Sequence, residues 1–175
     1  PSEVKYYLED SGARFMVCED QEQVDKVLEI KDELPQITKA IYWDDRGMWS
    51  YHDPILMEFK EVQELGKEMD RSHPELFEQN VEGTKGSGLA LLTYTSGTTG
   101  LPKGVIATYD LVLDDASRFI RYLGLRPGDQ YLSYMSPASL GDAYGGGIGM
   151  GLKIPITMNF GESPETMLGD IREMG

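Results

Sequence analysis

One cysteine, Cys18, stands in 175 residues. No internal disulfide can form, which suits a reducing compartment. Cys18 follows Phe15, Met16 and Val17 in an apolar run, and it reads as a buried packing residue and not a nucleophile. Basic residues are also scarce: 16 Lys and Arg face 30 Asp and Glu, a formal charge of −14. No segment supplies the basic patch that nucleic-acid binding or attachment to an anionic membrane requires. No apolar run approaches the roughly 18 residues of a membrane-spanning helix, and no basic-then-apolar leader is present. A soluble, intracellular protein without a transmembrane segment is therefore expected. His52 and His73 are the only histidines, in a charged stretch without metal-ligand spacing, and both read as exposed loop residues. With 40% apolar residues, the length supports one domain with a real core.

A more local absence is the most informative. At the chain's average of 30 acids in 175 residues, the 27 residues at 83–109 would hold about five; they hold none, and they include Lys85 and Lys103. Inside this stretch lies TSGTTGLPKG, residues 95–104. Gly97, Gly100 and Gly104 allow sharp turns and leave amides uncovered, so that several N–H groups can converge on an anion. Thr93, Thr95, Ser96, Thr98 and Thr99 add hydroxyls that donate to phosphate oxygens or, for one of them, ligate Mg²⁺. Lys103 brings a compact positive charge. The Walker A pattern, in which lysine follows glycine and a helix starts at once, does not fit. Here Pro102 precedes the lysine, Gly104 follows it, and the next residues read as a strand. The plain alternative is a glycine- and threonine-rich turn between two strands.

Along the chain, strand and helix signals alternate. Ser2 is expected to cap a helix with Val4, Tyr7 and Leu8 on one face, closing at Gly12; residues 14–18 read as a short buried strand. Asp20 and Gln23 form a capping pattern for a helix with Val24, Val27 and Leu28 inward, which Pro35 keeps from continuing. Residues 37–43 read as a strand. Residues 44–88 read as a charged excursion with turn signals at 45–47 and 53–54, one helix near 58–70 and a further helical turn after Ser72. Strands at 89–94 and 105–108 flank the glycine-rich loop. Asp110 is expected to cap a helix with Leu113, Ala116, Ile120 and Leu123 inward, ended by Gly124. A strand at 131–135, a glycine-rich helix at 140–152, a strand at 154–158 and a helix at 163–173 complete the pattern. The expected fold class is α/β, a mostly parallel sheet flanked by helices.

LLTYTSGTTGLPKGV resembles the phosphate-loop signature of the adenylate-forming (AMP-binding) enzymes, which include acyl-CoA synthetases, peptide-synthetase adenylation domains and luciferases. SEVKYYLEDSGARFMVCED, WDDRGMWSYHDP, LRPGDQYLSY and NFGESPETMLGDIREMG are similar to the bacterial long-chain fatty acid–CoA ligases. The resemblance implies an internal section of the N-terminal domain of a longer ligase, residues 1–175 being part of one AMP-binding domain without the C-terminal domain. It implies ATP, Mg²⁺ and coenzyme A as cofactors and co-substrates, and activation of a fatty acid as acyl-AMP before thioester formation. Lys103 and Thr95 would be catalytic and Thr95 the metal ligand. Thr95, Ser96, Gly97, Thr98, Thr99, Gly100, Lys103 and Gly104 would hold the nucleotide. The remainder of the chain would be its partner, and the parent would be cytoplasmic, with peripheral membrane association left open. The isolated piece, which begins at Pro1 and stops at Gly175, is expected to be inactive.

The sequence departs from relatives in lacking a histidine or aromatic at 136–139, and in Tyr109, Asp110 and Leu111, where they often show histidine, arginine and asparagine. The glycines at 141, 145, 146, 147, 149 and 151 satisfy GxGxxG in no register. They read either as close packing on the sheet or, by the resemblance, as the wall of an apolar substrate pocket; Asp142 reads as a solvated surface carboxylate or, by the resemblance, as the match to an acid in related ligases. Two other classes stay open: a stand-alone ATP-binding module, and a phosphotransferase or NTPase that would release inorganic phosphate.

Overall fold

The first helix, α1 (Ser2–Ser11), stops because Gly12 takes the left-handed backbone, φ 64°, which a β-carbon disfavours. Pro1, not the expected Ser2, occupies its cap position, and no side chain caps it. The computed structural model describes residues 1–95, 100–134, 147–161 and 166–173. By its internal contacts the chain divides into two units, Pro1–Gly83 and Thr84–Gly175.

In the first unit, β1 (Phe15–Cys18) leads to α2 (Gln21–Ile30), whose start is fixed by the Asp20 carboxylate accepting from the Gln23 amide at 3.1 Å. That bond satisfies one of the donors the first helical turn leaves without a partner. A short 3₁₀ turn, β2 (Lys39–Tyr42), a second 3₁₀ turn and β3 (Leu56–Glu58) follow. The strands form a parallel sheet in the order β1-β2-β3, Phe15 beside Lys39 and Ala40 beside Leu56. Cys18, Val24, Val27, Ala40 and Met48 form one buried cluster; Leu8, Ile30, Leu34 and Ile37 form a second.

Two expectations need correction. β1 is not wholly buried: Cys18 points into the core, while Phe15 and Val17, on the opposite face of the pleat, are 55% and 56% exposed. β3 was hidden inside the charged excursion, since three residues are too few to show a period. α3 (Phe59–Ser72) begins with a reciprocal capping box between Glu58 and Glu61, and α4 (Leu76–Gly83) follows; neither helix buries a side chain.

In the second unit, β4 (Leu89–Thr95) and β5 (Lys103–Thr108) are antiparallel, and β6 (Gln130–Ser133) and β7 (Thr157–Phe160) are parallel. Three helices are described: α5 (Tyr109–Leu123), α6 (Gly147–Lys153) and α7 (Met167–Glu173). α5 is capped by Thr108, whose hydroxyl accepts from the Leu111 amide at 3.2 Å, and not by Asp110, which lies in the first turn. Its buried residues are Val112 and Ala116, while Leu123, expected inward, is 51% exposed. Gly124, at φ 68°, ends it as expected. The strand expected at 154–158 is shifted to Thr157–Phe160, and the starts of the helices expected at 140 and 163 lie outside the described residues. No helix among the described residues is long and apolar enough to cross a membrane.

Candidate functional site

The glycine-rich loop joins β4 to β5, and strand pairing decides which of its side chains meet. The register places Thr95 directly beside Lys103, Tyr94 beside Gly104, and Thr93 beside Val105. Cross-strand partners point to the same face of an antiparallel pair, with β-carbons roughly 5 Å apart. Thr93, Thr95, Val105 and Lys103 therefore share one face, and Leu92, Tyr94, Gly104 and Ile106 the other. Eight positions apart in sequence, Thr95 and Lys103 are brought together at the loop end of the hairpin by this register. Thr95 is half-buried and Lys103 exposed. Gly100, in the connection, is exposed with φ 145°, a backbone that a residue with a β-carbon rarely adopts. Ser96, Gly97, Thr98 and Thr99 lie outside the described residues.

The electrostatics of the hairpin are one-sided. Among the described residues no carboxylate forms an ion pair with Lys103; the ion pairs present lie elsewhere, such as Lys26 with Glu22 at 2.8 Å and Arg118 with Asp115 at 3.0 Å. The first acid after the loop is Asp110, at the other end of β5. Its carboxylate lies over Gly86, where a β-carbon would come within 2.0 Å of Oδ1, and its amide donates to the Gly86 carbonyl at 2.8 Å. Six residue steps along β4, at about 3.4 Å each, separate the two ends of the hairpin by roughly 20 Å. That exceeds the screening length of about 8 Å at physiological ionic strength, so the charge of Asp110 scarcely reaches Lys103.

Gly104 is exposed, but side chains from across the ladder stand beside it on its own face. A β-carbon there would lie 3.0 Å from Leu92 Cδ1 and 3.5 Å from Tyr94 Cε1 and Cζ. Sequence reading did not single out Leu92 or Tyr94, because their lean across to Gly104 follows from the register; alternate spacing before a glycine strand was the only available signal.

Of the glycine run, Gly147 settles one position. A β-carbon at Gly147 would meet Tyr131 Cε1 at 2.5 Å and Met158 Cε at 2.6 Å. At this residue the packing reading holds, because α6 presses onto side chains of β6 and β7. The segments holding Asp142 and residues 136–139 lie outside the described residues. His52 and His73 are exposed, His73 Nδ1 lying 2.9 Å from the Ser72 hydroxyl. No group of three or more His, Cys, Asp or Glu able to hold a metal occurs among the described residues.

The chain as a whole has relatives among known proteins. Long-chain-fatty-acid–CoA ligase ACSBG2 of Xenopus laevis is 34% identical over 105 residues, 60% of this chain and 14% of the relative. Long chain acyl-CoA synthetase 8 of Arabidopsis thaliana is 28% identical over 138 residues, 74% of this chain and 18% of the relative. The chain thus spans about a seventh to a sixth of the length of these relatives. Among solved structures, the anthranilate CoA ligase AuaEII in complex with anthranoyl-AMP matches 99% of this chain and 31% of its own, with TM-score 0.71 and 19% identity. The N-terminal domain of FACL13 from Mycobacterium tuberculosis matches 99% of this chain and 38% of its own, with TM-score 0.67 and 19% identity. These structures share the α/β fold. A family model described as "AMP-binding enzyme" covers residues 1–145, so the chain belongs to the AMP-binding enzyme family.

Proposed function

We propose that residues 1–175 are part of the N-terminal domain of an ATP-dependent long-chain fatty acid–CoA ligase, and that the β4–β5 hairpin holds the triphosphate of ATP. One observation carries this reading: Thr95 and Lys103 are strand-register partners at the loop end of the hairpin, within a stretch of sequence, 83–109, that holds no acid. Both units are assigned to that one domain, a reading supported by the continuous match to adenylate-forming structures. The substrate class is supported by the names of the curated relatives, and a cytoplasmic parent is part of the same proposal.

A carboxylate is a poor electrophile toward a thiol. In the proposed reaction its oxygen attacks the α-phosphorus of ATP, the bond to the bridging oxygen of pyrophosphate breaks, and acyl-AMP forms. The thiol of coenzyme A then attacks the acyl carbon and AMP leaves. In the first step negative charge builds on the departing pyrophosphate. Lys103 donates to those oxygens, the amides of residues 96–100 and of Gly104 add further donors, and Thr95 orients the phosphates with its hydroxyl. Of these groups, Thr95 and Lys103 are held by the strand register and need little reorganisation as charge develops, which is the source of their advantage over water.

Mg²⁺ fits this site as a companion of the nucleotide. It keeps most of its waters and takes one or two protein oxygens beside the phosphates, and the neutral Thr95 hydroxyl is such an oxygen. Bound there, the ion would neutralise phosphate charge.

The test uses the full-length enzyme and exchange of labelled pyrophosphate into ATP. Lys103→Ala should slow exchange by about 10²-fold or more, the usual effect of removing one preorganised donor. It should leave the fold intact, because the side chain is exposed. Unchanged exchange refutes the role of Lys103, and release of inorganic phosphate in place of pyrophosphate favours an NTPase.

A further inference from the structure

We infer that Tyr94 is a positioning residue, whose ring lies across β5 at Gly104 and thereby holds Lys103 opposite Thr95. The inference rests on the proposed function and adds a residue to it.

Gly104 is the neighbour of Lys103 and the strand partner of Tyr94. Glycine weakens a strand, because it brings high backbone freedom and no side chain to pack. Among the described residues β4 and β5 pair only with each other, and a two-stranded ribbon has little stability to spare. The residue after the phosphate-facing lysine is thus the place where β5 would most readily loosen. Tyr94 and Leu92 occupy that place from across the ladder. The Tyr94 ring atoms Cε1 and Cζ stand at contact distance, 3.5 Å, from where the missing β-carbon would be, and Leu92 Cδ1 stands at 3.0 Å. An aromatic ring packed beside a cross-strand glycine supplies the contact that the glycine lacks and pins the register. A slip of one residue would turn Lys103 to the other face, away from Thr95. Tyr94 itself faces away from Thr95 and Lys103, so its influence on the phosphates passes through the strand.

The test is a double-mutant cycle in the full-length enzyme, read by pyrophosphate–ATP exchange well below the melting temperature of each variant. Tyr94→Ala should lower kcat for exchange by about tenfold, with KM for the fatty acid unchanged. In a Lys103→Ala background the same change should cost less than about twofold, because residues acting through one group are non-additive. Tyr94→Phe, which keeps the ring over Gly104, should recover kcat to within about threefold of the unmodified enzyme. If Tyr94→Ala does not fold, Tyr94→Leu, which keeps an apolar side chain but no flat ring, takes its place in the cycle.

The inference is overturned by undiminished exchange in Tyr94→Ala, by an equal loss with and without Lys103, or by Tyr94→Phe being as damaging as Tyr94→Ala. Exchange that survives Lys103→Ala but falls in Tyr94→Ala removes the lysine from the proposed function and also removes this route of action for Tyr94. No exchange in the unmodified enzyme overturns both readings.

Discussion

Cys18 shows how one residue's surroundings become a measurable pH dependence. It is 1% exposed, in the cluster with Val24, Val27, Ala40 and Met48. Burial, with the charge of Asp20 adding to it, pushes its thiol up to about 11. An unfolded thiol titrates near 8.5, so the folded chain keeps this proton over a range in which the unfolded chain has lost it. Stability from the neutral buried thiol is therefore fully present below about pH 8.5 and declines as pH rises toward 11. Urea unfolding midpoints from pH 8 to 11 should fall more steeply for the native sequence than for Cys18→Ala, since lysines and tyrosines titrate in both. Parallel alkaline limbs would show that Cys18 does not contribute. Its burial was legible from the apolar run around it. The exposure of Phe15 and Val17 was not, because alternation within four residues looks the same whether one face of a strand is covered or both.

At the scale of elements, helix ends were legible where the capping residue was unambiguous. Asp20 with Gln23, Gly12 and Gly124 all behave as the sequence indicates, each through a specific backbone or hydrogen-bond requirement. The start of α5 was misplaced because Thr108 and Asp110 both suit a cap, and the choice depends on where β5 ends. Pairing carries β5 to Thr108, beside Leu89, which leaves Thr108 as the last extended residue. Asp110 then adds a favourable charge near the positive end of the helix. Thr108→Ala should cost about 1 kcal/mol of stability, and Asp110→Ala only about 0.3–1 kcal/mol. Urea denaturation of the two variants measures the difference, and the reverse order would return the cap to Asp110. The site itself was only half legible: its residue types were visible in the sequence, but the pairing of Thr95 with Lys103 depends on how many residues the connection takes up.

The whole chain distributes its stability unevenly, and this bears on the proposed nucleotide site. Leu8, Cys18, Val24, Val27, Ile30, Leu34, Ile37, Ala40 and Met48 are buried in the first unit. Along β4 and β5, among the described residues, only Ala107 is. Local opening follows such differences, since segments with few buried apolar contacts open at lower free energy than a packed core, and ligand-binding elements are commonly drawn from that end. Amides of α2 and β2 should therefore exchange with deuterium most slowly, and those of β4 and β5 early. A ligand that binds only the closed hairpin shifts that opening equilibrium by mass action, by about 2.7 kcal/mol when present at a hundredfold excess over its dissociation constant. In the full-length enzyme, Mg-ATP should thus slow exchange at β4 and β5 by up to about a hundredfold while leaving α2 unchanged. Hydrogen exchange read by mass spectrometry distinguishes the outcomes. Equal protection of hairpin and α2 without nucleotide would refute the uneven distribution, and a hairpin indifferent to Mg-ATP would place the triphosphate elsewhere.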